Sequence, residues 1–373
     1  MTTAMTAKNH RGDYLIAVIT VFLGLFGILM IYSASSYGAE LSYGDSFFYV
    51  KKQAVSFAAG LVLMLGIGYF DLKKLVKLRY IILIASLVLL ALVFVPGISV
   101  SNYGATRWIN LGFTTIQPSE ISKFGFIVYA AAEMSVRDMS KFKNTLPVFA
   151  AGGGMCVLIM LEPNMSITMC VGLVMIIMLF IGGMKMKTLL MLVIPIVIGV
   201  VLMIVLEPYR MKRLTAFLDP WASPKDEGYQ LIQSYYALGS GGFFGVGLFN
   251  SRQKYLFLPF SESDFIFSII GEELGLLGSA FVIALFVFLV IRLVKSALRA
   301  ENKFYCCLSA GIAALIAVQT AINIAVVSGS IPPTGLPLPF MSAGGTSLVA
   351  YMTAVGLTLN ISRKRNPLAA DLR

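Results

Sequence analysis

The sequence contains a single histidine, and its position excludes several kinds of catalytic chemistry. His10 precedes the first long apolar run, so neither a histidine general base nor a histidine metal site is available within the apolar part of the chain. The four cysteines lie in or beside apolar runs and therefore indicate no disulfide framework. Acids are also few, 18 against 29 Lys and Arg residues, so an acid inside an apolar run is a functional hypothesis by default.

A nucleotide-binding loop is also missing, although the long polar segment 207–263 is rich in glycine. The glycine run 239–247 contains no Gly-Lys-Ser/Thr and no strand is indicated before it, so it does not match a phosphate-binding loop. We interpret the run as a close-packed re-entrant or interfacial segment that needs a flexible backbone.

Long apolar runs dominate what the chain does contain. The 373 residues are 58% hydrophobic, and the mean hydropathy is +0.85, which is not the composition of a soluble domain. Runs of about 17–25 residues are each long enough to cross a bilayer. We therefore predict an all-α integral membrane protein, a bundle of about ten transmembrane helices with a long extracytoplasmic loop between helices 7 and 8. The predicted spans are 14–34, 53–70, 78–96, 117–135, 146–161, 165–183, 188–206, 265–291, 304–328 and 339–361.

The basic residues give this single polytopic domain, 1–373, an orientation. The predicted cytoplasmic segments carry 19 of the 29 Lys and Arg residues. The positive-inside rule then places the tails 1–13 and 362–373 in the cytoplasm and the loop 207–263 outside. The net charge of +11 is thus a topology signal with some contact to anionic membrane lipids, and it does not indicate nucleic-acid binding. The first run is too long for a signal peptide, so we predict a retained helix.

The first outer polar segment combines a helix start with cations. Pro118 suits the first turn of a helix, Glu120 would lie in its positive end, and Lys123 follows three residues later. The helix start, Lys123 and Arg107 could together hold an anion such as a phosphate. The alternative is a capped helix with a surface ion pair.

The long outer loop contains a second group of cations. Arg210 and Lys212 lie near its beginning, and Lys254 lies near its end. These charges either reach up to the membrane interface or line a site for an anionic substrate. Their position beside carboxylates favours the second interpretation.

The eighth span begins with an acid and contains two more. Asp264 lies at its outer end, and Glu272 lies eight residues on, about 80° around a helix and roughly 12 Å deeper. Glu272 could therefore reach the same cavity, whereas Glu273 points away and is expected to have a structural partner. Asp264 is either a helix N-cap or a catalytic base, and the spacing does not decide between them.

In combination, these motifs resemble the SEDS family, the shape, elongation, division and sporulation proteins represented by FtsW, RodA and SpoVE. The form 334–337 (Thr-Gly-Leu-Pro) is closer to FtsW and SpoVE than to RodA. The motifs that carry the resemblance are Arg107-Trp108-Ile109, Gln117-Pro118-Ser119-Glu120 with Lys123, Gly228-Tyr229-Gln230 with Gln233-Ser234, Asp264-Phe265-Ile266-Phe267, Glu272-Glu273-Leu274-Gly275, and Pro337-Leu338-Pro339-Phe340 with Gly344-Gly345.

The resemblance implies a peptidoglycan glycosyltransferase that polymerises lipid II at the outer face of the bacterial cytoplasmic membrane and releases undecaprenyl diphosphate. It also implies a role in division or sporulation and a class B penicillin-binding protein, a transpeptidase, as partner. The essential loop aspartate of the family falls on Asp264, which we assign as general base. The candidate substrate-binding residues are Arg107, Gln117, Glu120, Lys123, Arg210, Lys212, Gln233, Ser234, Lys254 and Glu272.

Five positions depart from the pattern of the family and indicate a specialised member. The family usually has Pro-Glu-x-His-Thr-Asp before the aspartate, where this chain has Pro259-Phe260-Ser261-Glu262-Ser263-Asp264, and Asp is usual at the Asn of Pro163-Asn164. A basic residue is common at Thr106, and a tyrosine is usual at Ala343. The departing residues are Thr106, Asn164, Phe260, Glu262 and Ala343.

Cofactor use and two other functions stay open. No ligand cluster requires a cofactor, although a Mg²⁺ or Mn²⁺ ion bridging Asp264 and a diphosphate would suit oxygen ligands. A lipid II flippase would use a polar cavity with Glu272 and Glu273 at depth, and a non-catalytic scaffold would position the transpeptidase. Few charges lie within the spans other than the eighth, which favours an enzyme whose critical groups lie at the outer mouth.

Overall fold

The computed structural model describes residues 12–102, 105–112, 114–194, 199 and 208–364, and they are mainly helical. The all-α fold class is therefore confirmed. The helices are α1 (Tyr14–Tyr43), α2 (Phe48–Ile67), α3 (Lys73–Lys77), α4 (Arg79–Ala91), α5 (Pro118–Val136), α6 (Phe142–Leu161), α7 (Met165–Ile181), α8 (186–194), α9 (Pro208–Leu218), α10 (Tyr229–Gly241), α11 (Ile266–Leu298), α12 (Lys303–Val327) and α13 (Gly345–Arg363).

Each predicted span overlaps a helix where the structure describes it, although the first six residues of the tenth span, 339–344, are not helical and precede α13. Of the seventh span, 188–206, the structure describes residues 188–194 and 199, and the rest lies outside the described residues. Five of the described helices, α1, α2, α6, α11 and α12, are long and apolar enough to cross a membrane, and 79–94 and α7 are shorter apolar helices. The helices α5 and α13 are more polar because their inward faces carry buried polar side chains.

Helix α12 lies at the centre of the bundle. It packs against α5, α7 and α11, and α13 packs along α2. Two of its polar side chains, Gln319 and Asn323, are 0% and 1% exposed and lie four residues apart. They therefore lie on the same face, one turn apart. This face meets the polar site described below.

The eighth predicted span is interrupted, because α11 breaks at Gly275, where φ is 66° and ψ is −163°. The segment 242–247 bonds to the backbone groups at the break. Two of its amides donate to the carbonyl oxygens of Glu272 and Glu273 at 3.0 Å each, and two of its carbonyls accept from amides beyond the break at 2.8 and 3.2 Å. A Cβ at Gly245 would lie only 2.1 Å from the Glu273 carbonyl oxygen. Gly245 is therefore needed for close backbone packing.

A small sheet that the sequence did not indicate covers the turn before α5. Strands β1 (Ser99–Asn102), β2 (Ala105–Asn110) and β3 (Thr115–Ile116) are antiparallel in the order β1-β2-β3. The strands are short and their side chains do not alternate clearly between polar and apolar, so periodicity does not reveal them. The sheet holds Arg107 on its central strand.

Candidate active site

Asp264 does not cap helix α11. The N-cap residue is Phe265, and no side-chain hydrogen bond caps the helix. The backbone carbonyl of Asp264 accepts a hydrogen bond from Asn323 Nδ2 at 2.8 Å. The helix-cap alternative is therefore wrong, and the carboxylate is available for another role.

The segment around Asp264 is fixed to the proline-rich segment 331–344. Ala343 donates its amide to the Glu262 carbonyl oxygen at 2.8 Å, and the Ser342 hydroxyl donates to the Ser263 carbonyl oxygen at 2.6 Å. From below, Asn323 donates to both Asp264 and the Leu336 carbonyl oxygen, the latter at 2.7 Å. These contacts hold the backbone of Asp264 in place from two sides.

Gly335 leaves space beside the Asp264 carboxylate. Its φ of +70° is one that side chains rarely adopt, and a Cβ there would lie 3.1 Å from Asp264 Oδ2. Any larger residue at this position would therefore be strained and would crowd the carboxylate.

Burial and nearby charges set the proton affinity of Asp264. The pKa of Asp264 is raised to about 6, mainly by burial and also by the neighbouring Glu262 carboxylate, while Arg107 and Arg213 partly offset the rise. Glu262 itself has a raised pKa, also because of burial. A carboxylate with a pKa near 6 is ionised at neutral pH but is a stronger base than an ordinary aspartate, which suits a general base.

Arg107 approaches Asp264 from the small sheet. Its Nε donates to the Glu162 carbonyl oxygen at 3.3 Å, and one of its terminal nitrogens donates to the Pro163 carbonyl oxygen. The guanidinium is thus bound to the turn between α6 and α7 while its charge acts on Asp264. This position agrees with the predicted anion-binding role, which stays a prediction.

Arg213 is a second cation at the site, and sequence reasoning missed it. It acts on Asp264 electrostatically and lies on α9. The predicted Lys212 is exposed on the same helix but does not line the cleft beside Arg213, and the side chain of Arg210 lies outside the described residues. Helical periodicity indicates that neighbouring residues of α9 point in different directions. It does not indicate which of them, Lys212 or Arg213, faces the cleft. The cleft has a volume of about 450 Å³ and is lined by Arg213, Lys225, Asp226, Glu227, Tyr229, Gln230, Pro259 and Pro333.

Lys123 and Glu120 form an internal ion pair, so the interpretation as a surface pair is wrong, and the anion-binding interpretation stays a prediction. Their side chains are each 2% exposed and lie 2.7 Å apart, so this is not a surface pair. Lys123 Nζ also donates to Gln319 Oε1 at 2.9 Å and to the Tyr351 hydroxyl at 3.3 Å. Three acceptors match the three donors of a lysine. The ammonium group is therefore not available to a diphosphate in this structure.

The Lys123 ion pair is connected through α12 to the residues that hold the backbone of Asp264, here called the Asp264 cradle: Asn323 and the segment 331–344. Gln319 Nε2 donates to the Pro337 carbonyl oxygen at 2.8 Å, and Asn323, one turn along, holds Asp264. Tyr351 donates to Gln319 Oε1 at 2.5 Å. The predicted substrate-binding pair therefore supports the backbone beneath the site.

Three further predicted residues have internal partners. Ser234 is fully buried, with its hydroxyl 2.7 Å from the Val327 carbonyl oxygen and 2.9 Å from the Ser268 hydroxyl. Glu272 accepts from the amide of Arg252 at 2.9 Å and from the Ser251 hydroxyl at 2.5 Å. Lys254 is 6% exposed and donates to the Phe249 carbonyl oxygen. In this structure these side chains fix loops and helices, and their contact with substrate stays a prediction.

Glu273 has the structural partners expected for it. Its carboxylate accepts from the Ser33 hydroxyl at 2.5 Å and from the Ser251 amide at 3.2 Å, and it lies 3.6 Å from Lys254 Nζ. It therefore ties the loop after α10 to helix α1.

Two predicted residues keep an open assignment. Gln117 is the N-cap residue of α5 and is partly buried. Its backbone N–H donates to the Thr346 hydroxyl at 3.3 Å. Gln233 on α10 is also partly buried. Their contact with substrate stays a prediction.

The departures from the family pattern have local explanations at two positions. Asn164 Oδ1 accepts from the Ile167 amide at 3.3 Å and caps α7, a role that Asn and Asp fill about equally well. Glu262 places a second carboxylate beside Asp264 and acts on it electrostatically. Thr106 pairs with Ser101 in the sheet, and Ala343 contributes its amide to the cradle. Nothing in the structure explains Phe260 beyond its positive φ of 55°.

Among the described residues, no group of three or more His, Cys, Asp or Glu side chains could hold a metal ion. Asp264 and Glu262 provide two neighbouring carboxylates, and Mg²⁺ is commonly bound by one or two carboxylates together with substrate phosphates. The donor set therefore fits a divalent cation only in company with an anionic substrate.

The fold and the site define a multi-pass membrane protein with an acid flanked by two arginines at one end of its helical bundle. The chain belongs to the FtsW, RodA and SpoVE family of cell cycle proteins, whose family model matches residues 13–367. This confirms the resemblance found in the sequence motifs.

Similar proteins cover nearly the whole chain. It is 38% identical over 366 residues to the stage V sporulation protein E of Bacillus subtilis (strain 168), with 96% of this chain and 99% of that protein covered. It is 37% identical over 356 residues to the probable peptidoglycan glycosyltransferase FtsW of Geobacter sp. (strain M18), with 94% and 97% covered. A chain in a solved peptidoglycan synthase complex that coordinates polymerization and crosslinking superposes with a TM-score of 0.79 at 26% identity, with 95% and 99% covered.

Proposed function

We propose that this protein is a peptidoglycan glycosyltransferase that polymerises lipid II into glycan strands at the outer face of the membrane, in division or sporulation. The observation that carries this proposal is the Asp264 carboxylate, which is raised in pKa and on which Arg107 and Arg213 act electrostatically, with Arg213 also lining an open cleft. The names of the FtsW relatives support the same reaction class.

Asp264 acts as general base in this proposal. The reaction joins the 4-hydroxyl of one sugar to the anomeric carbon of another and releases a lipid diphosphate. As the new C–O bond forms, the hydroxyl proton passes to Asp264, and the bond to the diphosphate breaks. Arg107 and Arg213 stabilise the negative charge that develops on the departing diphosphate.

A divalent cation fits as a supplement to these arginines. Asp264 and Glu262 would hold it together with the diphosphate. When bound, such an ion supplies further positive charge for the leaving group.

A class B penicillin-binding protein is the proposed partner. The similar chain in the peptidoglycan synthase complex works where polymerization and crosslinking are coordinated, and a transpeptidase would supply the crosslinking activity.

Purified protein, alone and with this partner, decides between the enzyme, flippase and scaffold functions. We expect glycan strands from lipid II, visible as a ladder on a gel. A flippase or a scaffold would make no polymer under the same conditions. Transfer of labelled lipid II across a vesicle membrane without polymer would favour the flippase.

The two neighbouring cations on α9 provide a matched test of the cleft. Both Arg213 and Lys212 are exposed, but only Arg213 lines the cleft and acts on Asp264. A hydrogen bond to a charged group contributes about 1.5–3 kcal/mol, so Arg213→Ala should lower kcat/KM for lipid II by roughly tenfold or more. Lys212→Ala should remain close to wild type. Equal losses in both variants would show only a general effect of surface charge.

Both termini are cytoplasmic in this proposal, and the long loop lies outside. Ala222 in the loop and Glu301 between α11 and α12 are both exposed. Single cysteines at these positions, in a background without native cysteines, should react with an impermeant maleimide from opposite sides, Ala222→Cys from outside. Reaction of both from one side would contradict this orientation.

A further inference from the structure

Glu162 is a buried acid beside the site that the proposed chemistry does not use. It follows α6, is 1% exposed, and neither of its carboxyl oxygens has a hydrogen-bond partner. Buried polar groups are hydrogen-bonded in the large majority of cases. Two orphaned carboxyl oxygens next to an arginine therefore require a physical explanation.

Arg107 binds the turn that carries Glu162 but not its carboxyl group. The guanidinium donates to the backbone oxygens of Glu162 and Pro163 instead. An ionised carboxylate within reach would form a short, charge-assisted pair with a guanidinium. A neutral carboxyl group attracts it far less, so the backbone contacts are those expected beside a neutral acid.

The balance of burial and charge favours the same protonation state. The pKa of Glu162 is raised to about 8, because the effect of burial exceeds the opposing effect of the Arg107 charge. Among the described residues, Arg107 is the charged group that acts on Glu162. The next polar side chain along the turn, Asn164, is uncharged and caps α7.

We infer that Glu162 is a positioning residue for Arg107: it is kept as a neutral acid, so that the guanidinium charge acts on Asp264 and is not neutralised at the α6–α7 turn. Ionisation of Glu162 would draw the guanidinium into an ion pair and remove positive charge from the site. The consequence for catalysis rests on the proposed function, whereas the neutral state of Glu162 does not.

Two measurements on the intact protein test the neutral state without any activity. The infrared spectrum near pH 7 should contain a protonated-carboxyl band that is missing in Glu162→Gln, and this wild-type band should disappear as the pH rises through about 8. Because the folded-state pKa lies above the ordinary 4.5, wild type loses stability as the pH rises between these values. Glu162→Gln should therefore melt at a higher temperature than wild type above pH 8.

Glu133 provides a matched control for the same chemical change. It is also fully buried, but it pairs with Arg79 at 2.7 Å and Arg137 at 2.6 Å. Glu133→Gln should lower the melting temperature, because it leaves two cations without their partner. Equal destabilisation by both glutamine substitutions, or identical infrared bands in wild type and Glu162→Gln, would overturn the inference.

The activity measurement separates positioning from a purely structural role. At pH 7, Glu162→Gln should polymerise lipid II within about twofold of wild type. Above pH 8 the wild-type KM for lipid II should rise, whereas the variant should keep its neutral-pH KM. The same alkaline rise in both proteins would overturn the positioning role. If wild type makes no polymer at all, the proposed function fails, and the infrared and melting results still decide the state of Glu162.

Discussion

Replacing Asp264 with asparagine should leave a folded membrane protein that makes almost no polymer. A general base must accept a proton, and an amide of the same shape does not. Loss of general-base catalysis lowers rates by about 10²–10⁴-fold. The backbone contacts of Asp264 with Asn323 use its carbonyl oxygen and are unaffected by the substitution. We therefore expect a variant at least as stable as wild type, because its neutral amide avoids the cost of a buried charge, with partner binding retained and the loss confined to kcat.

The pH dependence adds a signature that a structural role would not produce. Asp264 has a pKa of about 6 and acts as a base only when ionised, so activity should fall as the pH drops through this value. The adjacent Glu262 carboxylate raises that pKa. Glu262→Gln should thus move the acidic limb of the rate profile to lower pH while the protein remains active. A well-folded Asp264→Asn variant that polymerises lipid II at nearly the wild-type rate would rule out the assigned role.

The sequence predicts the helices and the central acid well because both leave local signals. A bilayer requires long apolar runs, and each of the predicted runs overlaps a helix in the part of the chain that the structure describes. Asp264 is conspicuous because an acid at the mouth of an apolar run is costly. Arg107 could also be predicted, since its motif lies on the same outer side.

The partners of the remaining polar residues depend on distances between helices and loops in the fold, which the spacing of residues along the sequence does not give. Glu120 and Lys123 lie three residues apart on any helix, but only the packing of α12 against α5 shows that both are buried. Glu272 was expected eight residues below Asp264 in one cavity, but its carboxylate instead binds the loop 251–253. Long-range packing decides these partners, so periodicity alone misses them.

The same limit explains the missed members of the site. Glu162 lies in an ordinary-looking turn, and its importance follows only from its burial and its lack of a partner. Asn323 lies in the last turns of the apolar helix α12 and is linked to Asp264 across 59 residues of sequence. A polar residue inside a membrane helix was the signal that could have drawn attention to it.

Removing Lys123 should destabilise the protein more than it impairs substrate binding. Lys123→Met leaves the buried Glu120 carboxylate without its cation, and it also removes a donor from Gln319 and Tyr351. Breaking a buried ion pair by removing one partner costs about 3–5 kcal/mol. We expect a large fall in melting temperature in detergent and a low yield from membranes.

The paired substitution distinguishes this support role from a diphosphate clamp. Glu120→Gln combined with Lys123→Met removes both buried charges and replaces them with groups of similar size. The penalty of the single variant comes mainly from the uncompensated charge, so the double variant should recover most of the stability. The coupling free energy between the two substitutions should be about 0.5–3 kcal/mol, as for residues in direct contact. The recovered protein should also bind lipid II, since neither side chain reaches the outer cleft in this structure. A clamp predicts the reverse: Lys123→Met would be as stable as wild type, and the double variant would still fail to bind lipid II.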